Sequence, residues 1–305
     1  MNIFYDIKEN KSKSCIALGF FDGLHLGHVK VIKEMVKCSK ENDLIPCLLT
    51  FKSAPKYVLN PSFDETQKYI LQESEKIRIL KDLGVQNLYI IDFKSISNLS
   101  ADDFIGNILI DKFNVNHIFC GFNYHFGKGG KDTAENLSEK CKKYKVKVHI
   151  ISPQMCNEDI ISSSLIKKLL SVGKIERVNL FLGRDYSYNL PVVYGEKIGR
   201  QLGFPTLNQK FPENFFVPKF GVYKSKVYIN NESFDSLTNI GIAPTLKNER
   251  FPLSETFILD FQNEKLYNEN VMVSLLKYLR SEKKFNSLEE LNEAIKLDIK
   301  EFLQK

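Results

Sequence analysis

The chain has 305 residues, a formal net charge of +6, a hydrophobic fraction of 43% and a charged fraction of 26%. These values predict two domains that each bury a core, and they exclude a disordered or fibrous protein. No apolar run approaches the length of a membrane helix, and the first ten residues show no signal peptide, so the expected location is the cytoplasm, with no membrane partner. Scattered lysines with few arginines argue against a nucleic-acid partner.

Strand and helix signals alternate over roughly the first 180 residues. The near-continuous apolar run at 14–21 predicts a strand buried on both faces, and Val29, Ile32 and Val36 mark one face of the helix after it. Further strands are predicted at Pro46–Phe51, Leu88–Ile91, His117–Cys120 and Val146–Ile151, with helices at Glu65–Leu83 and after Ser100. This order predicts a doubly wound α/β sheet.

From about Arg184 the pattern changes to short β-rich segments separated by proline and glycine. They lie at Tyr186–Tyr194, Val222–Ile229, Ser236–Ile240, Thr256–Phe261 and Val271–Leu279. Short strands with turns between them predict a small barrel or a sandwich. Ser287, with Glu290 at the capping-box position, predicts a closing helix. We therefore place the domains at 1–182 and 183–305.

Six cysteines are present, none of them in a Cys-x-x-Cys pair: Cys15, Cys38, Cys47, Cys120, Cys141 and Cys156. Most of them lie in apolar, strand-like runs. This placement predicts reduced and mostly buried thiols rather than disulfides. The same spacing argues against a structural zinc site.

The segment Phe20–His28 lies between the first predicted strand and the helix that follows it. Ligands of open α/β sheets bind beyond the carboxyl ends of the strands, where a helix N-terminus attracts phosphate. Glycines at 19, 23 and 27 allow close backbone approach, and His25 and His28 can donate hydrogen bonds to charge developing on a phosphate. This chemistry suits nucleotidyl transfer from ATP. The alternative is a surface loop with two solvated histidines, and the dinucleotide fingerprint of dehydrogenases is absent.

A second candidate site lies at Gly199–Asn208 in the turn-rich half. Gly203 and Pro205 predict a tight turn, after which Thr206 and Asn208 point the same way on an extended segment. A hydroxyl and an amide oxygen are hard ligands suited to Mg²⁺ that carries ATP phosphates. The alternative is a structural turn followed by a short strand.

These segments resemble motifs of the bacterial bifunctional riboflavin kinase/FMN adenylyltransferase (FAD synthetase) family. Phe21–His28 is similar to the nucleotidylyltransferase signature, Cys120–Lys128 to the family's Gly-x-Asn-Phe-x-Phe-Gly loop, and Ile161–Lys167 to its Ile-Ser-Ser motif. The resemblance covers nearly the whole chain. It implies a doubly wound, Rossmann-like nucleotidylyltransferase domain followed by a small riboflavin-kinase β-barrel with a C-terminal helix.

For the first domain, the resemblance implies ATP-binding roles for Gly19, Phe20, Asp22, Gly23 and Gly27, and catalytic roles for His25 and His28. It further implies that Asn123 contacts ATP phosphates or FMN. Ser162, Ser163 and Ser164 would hold the triphosphate, and Lys167 would supply a cation that usually comes from arginine. Without the resemblance, the serines fit an ordinary helix N-cap. Thr50–Pro55 departs from the family by lacking a histidine and a proline.

For the second domain, Gly199–Asn208 is close to the riboflavin kinase signature, and Pro218–Tyr223, Asn239–Thr245, Glu255–Phe261 and Tyr278–Phe285 resemble further family motifs. The resemblance implies ATP or riboflavin binding by Arg200, Gly203, Pro205, Asn239 and Arg280. Thr206 and Asn208 would hold Mg²⁺. Glu255 would be the general base that deprotonates the ribityl 5′-hydroxyl, whereas composition alone fits a solvated edge charge. Phe257 replaces the usual histidine, and Leu190 a glycine.

The resemblance implies an enzyme of FAD biosynthesis. ATP would phosphorylate riboflavin to FMN with release of ADP, and a second ATP would adenylylate FMN to FAD with release of pyrophosphate. Two alternatives stay open: a flavokinase with a weakened adenylyltransferase domain, and a flavin- or nucleotide-binding regulator without catalysis. Transient self-association is also left open by the sequence.

Overall fold

The computed structural model describes residues 1–59, 68–195, 203–243, 251–261, 266–283 and 287–303. The chain divides into two compact units, Met1–Ser162 and Ser163–Lys305. The first unit is built on a parallel sheet, and the second contains a closed barrel. The boundary proposed between residues 182 and 183 separates sequence motifs, whereas the compact units divide between residues 162 and 163.

The first unit contains ten strands and five α-helices within the described residues. The strands are β1 (Asn2–Phe4), β2 (Ser14–Leu18), β3 (Ile45–Phe51), β4 (Asn87–Ile91), β5 (Val115–Gly121), β6 (His125–Phe126), β7 (Asp132–Thr133), β8 (Lys147–Ile151), β9 (Met155–Cys156) and β10 (Asp159–Ile160). The helices are α1 (Leu26–Glu41), α2 (Pro55–Leu59), α3 (Glu73–Asp82), α4 (Ala101–Asp103), which continues as a π-helical segment at Phe104–Ile110, and α5 (Ala134–Cys141). Six strands form one parallel sheet in the order β1-β4-β3-β2-β5-β8, which confirms the predicted α/β architecture.

The central strand β2 is buried on both faces of this sheet. Ile16 and Leu18 pack into the core on one face, and Cys15 and Ala17 pack on the other, against α1. All five residues of the strand are buried, as the near-continuous apolar run predicts. Burial on both faces fixes where β2 ends, and therefore fixes the start of the loop that follows it.

Two sequence predictions in this unit need correction. The helix predicted over Glu65–Leu83 begins at Glu73, because the preceding residues are held in a non-helical path by Ile70, whose N–H donates to Asp22 Oδ1 at 2.9 Å. Residues 60–67 lie outside the described part of the chain. The N-terminal strand β1 was not predicted at all. Its three residues are too few for a periodic signal, and pairing with β4 forms it.

The second unit begins with two helices, α6 (Ser163–Ser171) and α7 (Ile175–Leu182), and continues into the barrel. The barrel strands are β11 (Tyr186–Val193), β12 (Thr206–Lys210), β13 (Gly221–Ile229), β14 (Glu232–Ala243), β15 (Phe251–Ile258) and β16 (Asn270–Arg280). They are all antiparallel and close in the order β11-β12-β15-β14-β13-β16. Because the sheet closes on itself, the predicted barrel is confirmed and the alternative of a sandwich is wrong.

Asn179 attaches α7 to the barrel through both ends of its amide. Its Nδ2 donates to Leu275 O at 2.9 Å, and its Oδ1 accepts from Tyr186 N at 2.8 Å. The strand predicted at Thr256–Phe261 ends earlier, at Ile258, because Asp260 takes a left-handed conformation with φ 55°. The closing helix α8 (Leu288–Leu303) begins where predicted, with Glu290 N donating to Ser287 Oγ at 3.1 Å.

Hydroxyl side chains line part of the barrel interior. Tyr188 Oη lies 2.6 Å from Ser254 Oγ, and Thr238 Oγ1 lies 2.9 Å from Thr256 Oγ1. These buried polar groups therefore pair with one another. Elsewhere, no helix within the described residues is long and apolar enough to cross a membrane.

Candidate active sites

The crevice of the parallel sheet lies beyond the carboxyl ends of β2 and β5. From β2 the chain continues through β3 and β4 on one side, and then crosses to β5 and β8 on the other. The point where the direction of winding reverses is where open α/β sheets bind ligands. The loop at 19–25 follows β2, and Asn123 follows β5, so the sequence-predicted residues of both loops lie at this edge.

The loop after β2 is tightly wound. Phe21, Gly23 and Leu24 all adopt positive φ angles, of 55°, 78° and 43°. A Cβ on Gly23 would also lie 3.1 Å from the Ile70 side chain, so this position needs glycine for both conformation and space. The strained path turns the backbone sharply from the end of β2 into α1.

His25 and His28 form a stacked pair at the start of α1. His25 is the N-cap, and its Nδ1 accepts from His28 N at 3.3 Å, which places the proton of the neutral ring on Nε2. The two rings lie 3.7 Å apart at an interplanar angle of 20°, and Phe21 packs edge-on against His28 at 5.3 Å. A Cβ on Gly27 would lie 3.1 Å from the His25 ring, so the small residue leaves room for the stack.

His28 is electrostatically unusual. Burial, followed by the charges of His25 and Lys76, holds the pKa of His28 well below its usual range, so the ring is neutral at pH 7. Its Nδ1 is buried and has no hydrogen-bond partner among the described residues. A buried ring nitrogen without a protein partner is available to a ligand.

Lys76 of α3 lies beside this loop, and sequence reasoning missed it as a candidate site residue. Its Nζ donates to Phe20 O at 2.7 Å and to Thr50 Oγ1 at 3.0 Å. Burial lowers the pKa of Lys76 to about 8, and the charges of Asp22 and Glu73 act in the opposite direction. On the sequence alone this lysine resembles any solvated helix position, and only tertiary structure brings it beside the loop.

Phe20, Thr50 and Lys76 are therefore joined in one hydrogen-bonded group, because Thr50 Oγ1 also donates to Phe20 O at 2.8 Å. Gly19 N donates to Leu49 O at 3.3 Å, and Asp22 is buried. The loop is thus anchored to β3 and α3, although Thr50–Pro55 departs from the family pattern.

The Asn123 loop is more open. Asn123 is exposed, its carbonyl lies 3.0 Å from His125 Nδ1, and its Oδ1 would be 3.1 Å from a Cβ on Gly121. In the second unit, Ser163 and Ser164 are the first residues of α6, and Lys167 lies one turn later, with its Nζ 5.9 Å from the centre of the Phe216 ring. Ser162 is the last residue of the first unit.

On the barrel, Asn208, Glu255 and Asn239 form one row across three neighbouring strands. Asn208 on β12 faces Glu255 on β15, which in turn faces Asn239 on β14. Directly opposed residues share a face of the sheet. Ser254 and Thr256 are fully buried inside the barrel, so the alternating Glu255 and its row lie on the outer face.

Thr206 lies on the same face as this row, because it is two residues before Asn208 on the same strand. Asn208 is buried, and its Nδ2 donates to Thr206 O at 3.2 Å, so the amide nitrogen is used within the protein. A Cβ on Gly195 would lie 2.6 Å from that same nitrogen, so only glycine fits there. A hydroxyl, an amide oxygen and a carboxylate are thereby collected on one outer patch, and these are the ligands preferred by hard cations.

The other predicted kinase residues occupy different positions. Gly203 has φ 83°, as its turn requires, and it is followed by Phe204, Pro205 and β12. Phe204 packs edge-on against Phe257 at 5.2 Å, so the residue in place of the family histidine fills an aromatic contact. Arg200 lies outside the described residues.

Arg280 makes a bidentate ion pair in the described structure. Its Nε and Nη2 donate to the two oxygens of Asp298 at 2.8 and 2.7 Å. Asp298 belongs to α8, so this pair joins the barrel to the C-terminal helix. The role of Arg280 in binding ATP or riboflavin stays a prediction.

Comparisons with known proteins cover both units. A domain model of FAD synthetase matches residues 7–165, and one of riboflavin kinase matches residues 182–305. The bifunctional riboflavin kinase/FMN adenylyltransferase of Bacillus subtilis is 35% identical over 301 residues, covering 98% of this chain and 94% of the relative. The protein of the same name from Listeria monocytogenes is 35% identical over 277 residues, covering 90% and 87%.

A crystal structure titled as a macrolide-efflux protein from Streptococcus pneumoniae shares the whole fold. It is 30% identical, has a TM-score of 0.89 and covers 100% of both chains. The likeness thus extends over both units.

Proposed function

Because this chain belongs to the family of bifunctional riboflavin kinase/FMN adenylyltransferases, we propose that it makes FAD from riboflavin in two ATP-dependent transfers. The barrel unit phosphorylates riboflavin to FMN with release of ADP. The N-terminal domain, residues 1–182, adenylylates FMN to FAD with release of pyrophosphate. The observation that carries this proposal is the presence of two chemically different sites, the histidine pair and the Asn208–Glu255–Asn239 row, within one chain.

Adenylyl transfer requires charge stabilisation more than covalent catalysis. A phosphate oxygen of FMN attacks the α-phosphorus of ATP, a new P–O bond forms, and pyrophosphate leaves. His25 and His28 donate to the phosphate oxygens as charge develops, and Lys76 adds a cation beside the loop. Gly19, Phe20, Asp22, Gly23, Gly27 and Asn123 contact ATP or FMN, and Ser162, Ser163, Ser164 and Lys167 bind the triphosphate.

Phosphoryl transfer uses the outer face of the barrel. The Glu255 carboxylate accepts the proton of the ribityl 5′-hydroxyl, whose oxygen attacks the γ-phosphorus while ADP leaves. Asn239 lies opposite Glu255 and positions the substrates beside it. Arg200, Gly203, Pro205 and Arg280 contribute to ATP or riboflavin binding.

The residues at the barrel site fit Mg²⁺. Thr206 and Asn208 offer hard oxygen donors, and the hydrogen bond from Asn208 Nδ2 to Thr206 O leaves the amide oxygen as the ligand. When bound, the ion would neutralise charge on the ATP phosphates. The protein's own part is to hold these two donors on the same face of the sheet as Glu255.

Neither alternative from the sequence is favoured, because relatives with both domains match nearly the full chain. The domain models and the curated relatives agree on two transferase activities, and we therefore do not propose macrolide efflux for this chain. A cytoplasmic location and transient self-association stay proposals.

The test is chromatography of the flavins formed from riboflavin, ATP and Mg²⁺. We expect FMN to appear first and FAD to follow. FMN without FAD would instead support the flavokinase alternative. Bound flavin without turnover of ATP would support the regulator.

A further inference from the structure

Four side chains that the proposed reactions do not use converge on the α1 face of the parallel sheet. Cys15 comes from β2, Cys38 from α1, His117 from β5 and His149 from β8. Cys15 on β2 is the register partner of His117 on β5. His149 on β8 is the register partner of Phe119, which lies two residues after His117 on β5. Four separate elements thus bring two thiols and two imidazoles together.

Three successive distances between their potential ligand atoms are close to the edges of a zinc tetrahedron, and Cys15 adjoins the group of Cys38, His117 and His149 through Cys38. Cys15 Sγ lies 3.8 Å from Cys38 Sγ, Cys38 Sγ lies 3.4 Å from His117 Nδ1, and His117 Nδ1 lies 3.0 Å from His149 Nε2. Zinc bonds of about 2.3 Å to sulfur and about 2.0 Å to nitrogen give tetrahedral edges of about 3.8, 3.5 and 3.3 Å. The ligand atoms of Cys38, His117 and His149 all lie within 4.8 Å of one another.

Neighbouring residues hold these side chains in place. The His149 ring stacks on Phe119 at 4.3 Å with an interplanar angle of 5°, which fixes its orientation. Asn42 Nδ2 lies 3.6 Å from Cys38 Sγ and donates to it, as an outer-shell residue does for a thiolate ligand. Cys15 is fully buried, whereas Cys38, His117 and His149 are partly exposed, so an ion has a path of entry.

We propose that Cys15, Cys38, His117 and His149 bind one Zn²⁺ ion. The two thiols lose their protons to water on binding, and the two thiolates then balance the charge of the ion beside two neutral imidazoles. Soft sulfur and imidazole ligands select zinc over Mg²⁺, which keeps this site distinct from the barrel site. With Cys15 joining Cys38, His117 and His149 on binding, four protein ligands would complete the tetrahedron, which is the arrangement of a structural and not a catalytic zinc.

The position in the fold agrees with a structural role. Cys38 lies ten residues after His28 on α1, a distance of about 15 Å at about 1.5 Å per residue. The site therefore lies toward the opposite end of the sheet from the catalytic loop. Zinc there would tie α1 to three strands, and would raise stability without contacting either substrate.

Metal analysis of the full-length protein tests this proposal. The protein is purified with Zn²⁺ supplied and dialysed against metal-free buffer, and its zinc content is then measured. In a second experiment, Co²⁺ is titrated into chelator-treated protein. We expect one zinc per chain and the visible spectrum of tetrahedral, thiolate-bound Co²⁺. Cys38→Ser and His117→Ala should each lower the affinity for Co²⁺ by more than about 100-fold, and Asn42→Ala by about 10-fold.

Cys156→Ser and His125→Gln are matched controls, since both residues lie outside the cluster in the same unit. They should retain the zinc content and the cobalt spectrum. The proposal is overturned if the wild-type protein retains no zinc, or if Cys38→Ser retains as much as Cys156→Ser. A Cys15–Cys38 disulfide in the purified, metal-supplied protein, detected by mass spectrometry, would also overturn it. Asn42→Ala keeps the proposal testable if a ligand variant fails to fold, because it leaves all four ligands in place.

Discussion

At the scale of single residues, the proposed adenylyltransferase site contains groups whose charge depends on their environment. Lys76 combines a buried ammonium with two hydrogen bonds, to Phe20 O and Thr50 Oγ1. A charge-assisted hydrogen bond contributes about 1.5–3 kcal/mol, so its loss is measurable in a rate. Since Lys76 lies beside the loop at 19–25, its replacement should slow adenylyl transfer and leave phosphoryl transfer unchanged.

Lys76→Met should therefore lower the rate of FAD formation from FMN by about 10- to 100-fold. The rate of FMN formation from riboflavin should stay unchanged, because the barrel unit is a separate compact unit. Both rates are measured by flavin chromatography. Lys81→Met, at an exposed position of the same helix, is the control. Equal rates in wild type and Lys76→Met would remove Lys76 from the site.

His28 makes stability depend on pH. Its pKa is lowered in the folded protein from about 6.5, the usual pKa of a histidine, so between the folded pKa and 6.5 the unfolded chain binds a proton that the folded chain does not. The contribution of His28 is present above pH 6.5 and is lost as the pH falls toward the folded pKa. The loss is at most about 1.4 kcal/mol per pH unit.

Replacing His28 with Asn should therefore reduce the acid-induced loss of stability. Urea unfolding at pH 7.5 and 5.5 measures the difference in the free energy of unfolding for both proteins. We expect this difference to be larger in wild type than in His28→Asn. An identical pH dependence would show that the folded protein does not hold His28 neutral. His125→Asn, at an exposed position, is the control.

The Gly195 position tests the contact that orients Asn208. The Cβ of Gly195→Ala would lie 2.6 Å from Asn208 Nδ2, so the amide must move. A displacement of about 1 Å at a reacting centre costs about 100-fold in rate. FMN formation from riboflavin should fall by about this factor, while FAD formation from supplied FMN serves as the internal control. Unchanged FMN formation would show that Asn208 does not act at this site.

At the scale of elements, the sequence predicts those whose signals are local. Continuous burial of β2 produces the apolar run that marks it, and Ser287 marks the start of α8 through its side chain. The strand β1 gives no such signal, because pairing with β4 forms it. The start of α3 is likewise fixed from outside, by the hydrogen bond from Ile70 to Asp22.

The candidate sites follow the same distinction. His25 and His28 are close in sequence, so their pattern is visible before folding, and the same is true of Thr206 and Asn208. Lys76 becomes a site residue only through the packing of α3 beside the loop. The Cys15–Cys38–His117–His149 cluster is assembled from four elements, which is why the spacing of the cysteines argued against zinc.

The helix α8 provides a prediction at this scale. Asp298 is buried and forms the bidentate pair with Arg280, whereas Glu293 and Lys296 pair on the exposed surface of the same helix. Removing one partner of a buried pair leaves the other charge uncompensated. Asp298→Ala should lower the free energy of unfolding by about 1–3 kcal/mol, and Glu293→Ala by less than about 0.5 kcal/mol.

Urea unfolding of the full-length variants measures both values. Equal effects of Asp298→Ala and Glu293→Ala would contradict the anchoring of α8 through Arg280. The KM for riboflavin, measured in the same variants, tests separately whether Arg280 also contributes to ligand binding. A raised KM in Asp298→Ala alone would support its predicted role.

At the scale of the whole molecule, we propose two different phosphate chemistries for the two domains. One unit presents backbone and imidazole donors at the switch point of a parallel sheet, and the other presents a carboxylate and hard oxygen donors on the outside of a barrel. Their chemistries share ATP and FMN but no described residue. The two transfers should therefore be separable by mutation within the full chain.

The most direct test is product chromatography of two point variants, His28→Ala and Glu255→Ala, each confirmed as folded by circular dichroism. Given riboflavin, ATP and Mg²⁺, His28→Ala should accumulate FMN and form no FAD. Glu255→Ala should form no FMN from riboflavin, but it should convert supplied FMN to FAD at the wild-type rate. If either folded variant loses both transfers, or retains both, the assignment of one transfer to each unit is wrong.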